Sequence, residues 1–438
     1  MLQPPEGHVR LPEARIRRIT APLERFMHVE AASGIVLLAT TIAALALANS
    51  QLSDWYVGIW ETEVGLRLGS FEMVHSLKHW INDGLMAVFF FVIGLEVKRE
   101  LVIGELRDPQ RAALPAFAAL GGMIVPAGIY LALQPVGAEA RGWGIPMATD
   151  IAFVVGCMAV LGSRVPHGLR VMLLSLAIAD DIGAILVIAI GYTESLDLRA
   201  LIFGFLGLVA VYLLARAGVR GLLVYVVAGT LVWFAFHESG IHATIAGVAL
   251  GLLTPTSAYI SEGLFGEILK GASEIFHGGG WESKSDRGAK LLRFRQVARE
   301  TIPPVEYLET ALHPWVGFLI MPVFALANAG VPFELADFAD PVAQAVAAGL
   351  VIGKPLGIVV LSFIAVRVGL ARLPEGIGWA ALTGGGFLAG IGFTMALFIA
   401  GLAMEGEMLD AAKVGVLGAS AVAAAIGLSI LSYALPKR

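Results

Sequence analysis

Most apolar residues in this chain come in blocks of about 20 separated by more polar connections. A helix needs that length to cross the hydrocarbon core of a bilayer, and only a helix or a closed barrel satisfies its backbone there. The blocks predict an all-α polytopic membrane protein with about 12 transmembrane helices, at approximately 30–49, 77–97, 112–134, 141–161, 168–192, 199–217, 221–237, 240–254, 313–330, 342–367, 376–402 and 410–434. The composition agrees: 57% of residues are hydrophobic and only 15% charged, far from a soluble domain. A single transmembrane domain over 30–434 is expected between a segment 1–29 and a tail 435–438. It is interrupted by external loop 50–76 and internal loop 255–312.

Charge sets the orientation. With the N-terminus inside, 24 of the 30 Lys and Arg residues fall on that side, and only Arg67, Lys78, Arg141, Arg199 and Lys413 fall outside. The positive-inside rule then puts both termini in the cytoplasm. Ala46-Leu47-Ala48 resembles a signal-peptide cleavage site, but the preceding polar segment is long and contains acids, so a retained first helix is expected. The one cysteine, Cys157, lies in an apolar block and offers neither a disulfide framework nor a cysteine metal site. The net charge of −5 gives no ground for a nucleic-acid partner.

Outside the blocks, residues 60–73 alternate in polarity around glycines and predict an external hairpin, whose free edge could pair with a second copy. In loop 255–312, Tyr259, Ile260, Leu264, Phe265, Ile268 and Leu269 have roughly helical spacing ahead of Gly278-Gly279-Gly280. Either a surface helix or a tethered linker suits them.

The polar residues inside the blocks carry the chemistry. Asp180 and Asp181 sit in the fifth block with no Lys or Arg between Val171 and Ile190. Each costs roughly 2.5–3.5 kcal/mol at mid-bilayer even on the lenient scale, so a functional role is the default reading. The fourth block contains Pro146-Met147-Ala148-Thr149-Asp150, where proline removes a donor and can free carbonyls to face a cavity. A plain proline kink would be preferred were Asp150 absent. Gly384-Gly385-Gly386 and Gly390-Ile391-Gly392 weaken the eleventh block at comparable depth, with close helix packing as the alternative. Lys354, in Ile352-Gly353-Lys354-Pro355-Leu356-Gly357, is as costly as a carboxylate unless paired, and its candidate partners are Asp180, Asp181 and Asp150. The interrupted blocks four and eleven match if spans 3–5 and 10–12 are inverted repeats, a pattern already known for transporters that include the family named below. Asp150 could then neutralise half-helix N-termini that meet at the midplane.

The chain resembles the NhaA family of bacterial sodium/proton antiporters over nearly its whole length. The carrying strings are INDGLMAVFFFVIGLEVKRE (81–100), GIPMATDIAFVVG (144–156), LAIADDIGAILVIAIGYT (176–193), SGIHATIAGV (239–248), LHPWVGFLIMPVFALANAGV (312–331), GLVIGKPLGI (349–358) and LAGIGFTMALFIAGLA (388–403). The resemblance implies that Asp180 and Asp181 exchange the cation and proton. It pairs Lys354 with Asp180 and makes Asp181 the more direct ligand of transported Na⁺, with Thr149 and Asp150 in the unwound part of span four and Gly390 in the matching break. It also implies a pH-regulating cytoplasmic cluster of Glu96, Arg99, Glu100, Glu309 and His313, with His242 and Asp83 near the outer surface. A homodimer through the hairpin and a place in the bacterial inner membrane follow from it. Departures fall in the regulatory region: Thr310 and Glu306 replace basic family residues, and loop 255–312 is longer than expected.

Chemistry independent of the resemblance leads the same way. Adjacent ionised carboxylates repel while a neighbouring ammonium offsets them, so the set titrates as a unit and can trade protons for a small cation. Carboxylate, hydroxyl and carbonyl oxygens suit Na⁺ or Li⁺, and no cofactor or enzymatic activity is expected. Two other classes compete. A sodium-coupled symporter of an organic anion lacks a second intramembrane basic residue here, and an intramembrane aspartyl protease lacks its Gly-x-Gly-Asp context.

Overall fold

A computed structural model describes residues 30–68, 71–193, 196–261, 263–268, 297–332, 335–374 and 376–435, with Lys270 and Leu292 besides. The expected segment 1–29, Gly278-Gly279-Gly280, most basic residues of loop 255–312, and Lys437 and Arg438 lie outside the described residues.

The chain runs through α1 (Glu30–Ala48), α2 (Ser53–Glu61), a hairpin of β1 (Glu63–Leu68) and β2 (Phe71–Ser76), α3 (Leu77–Val102) and α4 (Pro109–Leu133). A 3₁₀ segment, Glu139–Met147, leads to α5 (Ile151–Leu161), then α6 (His167–Gly191), α7 (Leu198–Arg216), α8 (Leu222–Glu238) and α9 (Thr244–Leu253). Further along the chain come α10 (Pro304–Asn328), α11 (Pro341–Val368), α12 (Trp379–Ala389), α13 (Phe393–Ala403) and α14 (Gly406–Ala434).

Seven of these helices (α3, α4, α6, α7, α10, α11 and α14) are long and apolar enough to cross a membrane. Three bent pairs raise the number to as many as ten: α1 with α2 at 113°, the 3₁₀ segment with α5 at 41°, and α12 with α13 at 46°. The expected blocks at 221–237 and 240–254 correspond to α8 and α9, which are apolar but shorter. Length and composition thus support a mostly helical, polytopic membrane protein with seven to ten crossings.

Two boundaries differ from expectation. The hairpin lies three residues later than 60–73, because Trp60 and Glu61 finish α2; its register runs from Glu63↔Ser76 to Leu68↔Phe71. Helix α10 starts at Pro304 rather than at 313, since Pro303 and Pro304 are pre-set for a first helical turn and Glu306 favours that turn's positive end. Residues 263–268 are helical, within the stretch where a surface helix was one of two expectations.

Local chemistry sets the helix ends. Asp108, Asp197 and Asp340 each cap a helix by accepting from a backbone N–H two residues on, at 3.0, 2.7 and 2.7 Å. Gly369, at φ 83°, ends α11 in the left-handed conformation that glycine adopts without strain.

Small residues set the packing that matters for the site. A methyl group added at Gly121 of α4 would lie 2.0 Å from the carbonyl oxygen of Gly357 in α11, and the reverse is equally tight. Helices α4 and α11 therefore touch backbone to backbone, as small residues allow in a membrane bundle. That contact brings α11, and Lys354 with it, against the middle of the bundle.

Candidate functional site

The fourth and eleventh blocks both unwind. Ala148 and Asp150 have extended backbones (ψ 150° and 103°), and Gly390, Ile391 and Gly392 separate α12 from α13. The two breaks meet: the Asp150 N–H donates to Ile391 O at 2.7 Å, so each unwound strand satisfies part of the other's freed backbone. Gly390 has an ordinary φ of −69°, so its glycine is required by close approach; an added methyl would stand 2.5 Å from Leu350 O.

Breaking two helices at mid-depth exposes four helix ends, and charged or hydroxyl side chains meet each one. Asp150 caps α5 by accepting from Phe153 N at 3.2 Å, and its other oxygen accepts from Thr394 N at 3.1 Å and from the Thr394 hydroxyl. One carboxylate therefore serves the positive N-terminal ends of α5 and α13 together. Lys354 Nζ donates to Met147 O, the last carbonyl of the 3₁₀ segment. Thr149 Oγ1 lies 2.9 Å from Ala389 O, the last carbonyl of α12. Negative charge thus stands at N-termini and positive charge at a C-terminal end, the arrangement that helix dipoles favour.

Asp180 and Asp181 project from the middle of α6 and are 1% and 3% exposed. Asp180 Oδ2 lies 2.7 Å from Lys354 Nζ and 2.7 Å from Thr149 Oγ1, and the Lys354 and Asp180 side chains are wholly buried. Asp180 Oδ1 is buried without a hydrogen-bond partner among the described residues. Thr149 Oγ1 has two acceptor oxygens within 3 Å, Asp180 Oδ2 and Ala389 O, but only one proton to donate. Oxygen lone pairs outnumber donors around this hydroxyl. A five-residue π-turn, Gly349–Gly353, leads directly into Lys354, whose aliphatic stem passes Gly122 of α4. Pro146 is buried against Gly349.

The structure brings Thr149, Asp180 and Lys354 into one connected hydrogen-bonded and ionic set; Asp150 follows Thr149 in the chain but bonds to Phe153, Thr394 and Ile391 instead, and Asp181 is next to Asp180 along α6. A second group forms near the end of α3. Arg99 binds Glu309 of α10 at 2.6 Å and Glu100 at 3.2 Å, and His313 Nδ1 is 3.9 Å from Glu96. His242 does not join that group: it lies 3.8 Å from Asp83, at the other end of α3 and roughly 20 Å along the helix from Glu96. Thr394 and the carbonyls of Met147 and Ala389 were not singled out from the sequence. For Thr394 a signal existed, since it is the hydroxyl in the first turn after Gly390-Ile391-Gly392. The carbonyls had none, because every residue has one.

Comparison with known proteins gives the group its context. The model of the Na⁺/H⁺ antiporter 1 family matches residues 24–431. The Na⁺/H⁺ antiporter NhaA of Rhodopirellula baltica is 55% identical over 432 residues, covering 99% of this chain and 98% of the relative. The Na⁺/H⁺ antiporter NhaA of Rhizobium meliloti is 52% identical over 97% of each chain. A relative from Acidiphilium cryptum, Na⁺/H⁺ antiporter NhaA 2, is 50% identical over 99% of this chain and 96% of its own length. Matched along almost its entire length by the family model and by relatives at half identity or better, this chain belongs to the Na⁺/H⁺ antiporter 1 family.

Proposed function

We propose that this protein exchanges cytoplasmic Na⁺ or Li⁺ for external H⁺, with cation and proton competing for the Asp180 and Asp181 carboxylates. The carrying observation is the buried Asp180 carboxylate. One oxygen is shared between an ammonium and a hydroxyl, and the other lacks a partner among the described residues. Beside it Thr149 Oγ1 and Ala389 O add neutral oxygens, the kind of ligand that a hard cation coordinates together with a carboxylate. Asp181 is the more direct ligand, Thr149 supplies a neutral oxygen, and Lys354 holds Asp180 when the cation is absent.

Competition becomes obligatory exchange if the cation-loaded and proton-loaded forms reorient while the empty charged form does not. The breaks of spans four and eleven, joined at Asp150 N and Ile391 O, provide the moving element, since helices broken at mid-depth can shift without exposing unpaired backbone to lipid. In this reading spans 3–5 and 10–12 are inverted repeats, and α8 and α9 also cross, giving twelve spans within one domain at 30–434. The protein lies in the bacterial inner membrane with both termini cytoplasmic. It serves pH homeostasis as a homodimer joined through the β1–β2 hairpin. Exchange is electrogenic, and the group of Glu96, Arg99, Glu100, Glu309 and His313 regulates it with pH.

The test uses purified protein in liposomes loaded with Na⁺ and diluted into Na⁺-free medium, with internal pH followed by a dye. Internal acidification that stops in Asp181→Asn supports the proposal, and a faster rate under voltage clamp supports electrogenic exchange. No acidification by the wild-type protein, at any pH from about 6 to about 9 where histidines titrate, overturns it.

A further inference from the structure

The hairpin end of α3 gathers more histidine than the transport reading uses. His75 on β2, His79 at the start of α3 and His237 near the end of α8 each offer one ligand nitrogen, and the three nitrogens lie within 4.8 Å of one another. The rings are in mutual contact, with centroids 4.3 Å apart for His75 and His79 and 5.6 Å for each of the other pairs. His79 Nε2 is buried with no hydrogen-bond partner among the described residues, although its ring edge reaches the surface. Beside them Asp83 Oδ2 stands 3.3 Å from His237 Nδ1 and 3.7 Å from His79 Nε2.

We propose that His75, His79 and His237 form a site for a divalent transition metal of the Zn²⁺ type, with Asp83 as the adjacent carboxylate. Three imidazoles are a borderline-soft ligand set that suits Zn²⁺, Cu²⁺ or Ni²⁺ and not Na⁺, Mg²⁺ or Ca²⁺. Nitrogens bound to one tetrahedral ion at about 2.05 Å are separated by about 3.4 Å, so closing from the present spacing takes only small side-chain rotations. His79 Nε2, which makes no hydrogen bond among the described residues, gains a metal to bind, and the Asp83 carboxylate offsets the ion's charge and orients the His237 ring through Nδ1. Stacking of Trp233 on His237, at 5.6 Å, and of Trp80 on Trp233, at 6.3 Å, holds the site's far wall. The three ligands come from the hairpin, α3 and α8, so a bound ion ties the hairpin to two helices of the bundle. This inference stands apart from the transport reading, because none of the three histidines belongs to the aspartate site.

The experiment is Zn²⁺ titration of the purified full chain in detergent, with any affinity tag removed, by calorimetry and by X-ray absorption of the bound metal. One Zn²⁺ per chain is expected, with imidazole nitrogens in its shell. Each of His75→Ala, His79→Ala and His237→Ala should weaken binding at least about tenfold, the lower range for loss of a group that shapes a metal site. His313→Ala should bind as wild type does. If the variants do not fold, the wild type decides: Zn²⁺ should protect His75, His79 and His237 from diethyl pyrocarbonate, as read by mass spectrometry, while His313 stays reactive. The proposal is overturned by no binding up to about 100 μM Zn²⁺, by a shell without imidazole, by binding that survives all three substitutions, or by no protection of the three histidines.

Discussion

Lys354 Nζ stands 2.7 Å from Asp180 Oδ2 with neither side chain touching solvent, and the same ammonium also binds the last carbonyl of the 3₁₀ segment in span four. Lys354 therefore joins α6, α11 and the first break, and its removal leaves a buried carboxylate without its counter-charge. Lys354→Ala should cost about 3–5 kcal/mol of stability, the usual consequence of breaking one side of a buried pair. In an Asp180→Asn background the loss should be clearly smaller. Thermal unfolding in detergent of the four proteins in this cycle measures the coupling, and additive losses would show that the two side chains are energetically independent.

Asp181 makes no direct ion pair with Lys354 among the described residues, so its substitution should separate transport from folding. Asp181→Asn keeps size and polarity but cannot exchange a proton. It should unfold within a few degrees of the wild type yet show no Na⁺-driven proton movement in liposomes. A normal transport rate would remove Asp181 from the mechanism.

Thr149 offers an oxygen without charge. Thr149→Val should raise the Na⁺ and Li⁺ concentrations needed for half-maximal exchange by roughly tenfold, the equivalent of one lost polar contact of about 1.4 kcal/mol. Thr149→Ser restores the hydroxyl and should restore affinity. Half-saturation that is the same for all three proteins would show that Thr149 is not a ligand.

The two breaks, which meet at Asp150 and Ile391, predict two different kinds of damage. Thr394→Val removes the hydroxyl bonded to Asp150 and should cost about 1–3 kcal/mol, because a buried acceptor loses a partner. Gly390→Ala instead forces a methyl to within 2.5 Å of Leu350 O, a backbone atom that cannot rotate away. It should lower the exchange rate more than Thr394→Val does, since α11 and the break must separate for the methyl to fit. Chemical denaturation and vesicle transport, run on both variants, distinguish the two effects.

Thr310 is exposed on α10, one turn before His313, and Glu306 lies in the first turn of the same helix. Thr310→His adds a group that titrates near neutral pH beside the Arg99–Glu309 pair. If the cluster gates transport, exchange measured at saturating Na⁺ should rise more steeply with pH in this variant than in the wild type. Profiles that overlay would leave proton competition at Asp180 and Asp181 as the sufficient account of the pH dependence.

Much of the architecture was legible along the chain because the bilayer imposes a one-dimensional rule: an apolar block of sufficient length must be a helix. The blocks around Asp180 and Lys354 could be bounded to within a residue or two for this reason. The rule weakens where blocks are short or polar, so α8 and α9 fall below spanning length. Pro304 begins a helix inside what reads as loop, because a proline pair is compatible with either.

By itself the sequence determined that Asp150, Asp180, Asp181 and Lys354 lie within apolar blocks, where burial cost calls for a partner, and that blocks four and eleven are weak helices. Residue chemistry alone left Asp150, Asp180 and Asp181 open as partners of the ammonium and only the family resemblance selected Asp180; the contact itself depends on the backbone packing of α4 with α11 at Gly121 and Gly357. Nor could the sequence show that Asp150 serves two helix N-termini, or that His75, His79 and His237 converge from three separate elements. Those relationships are set by close packing between residues far apart in the chain, and burial cost alone says that a partner is needed without saying which one.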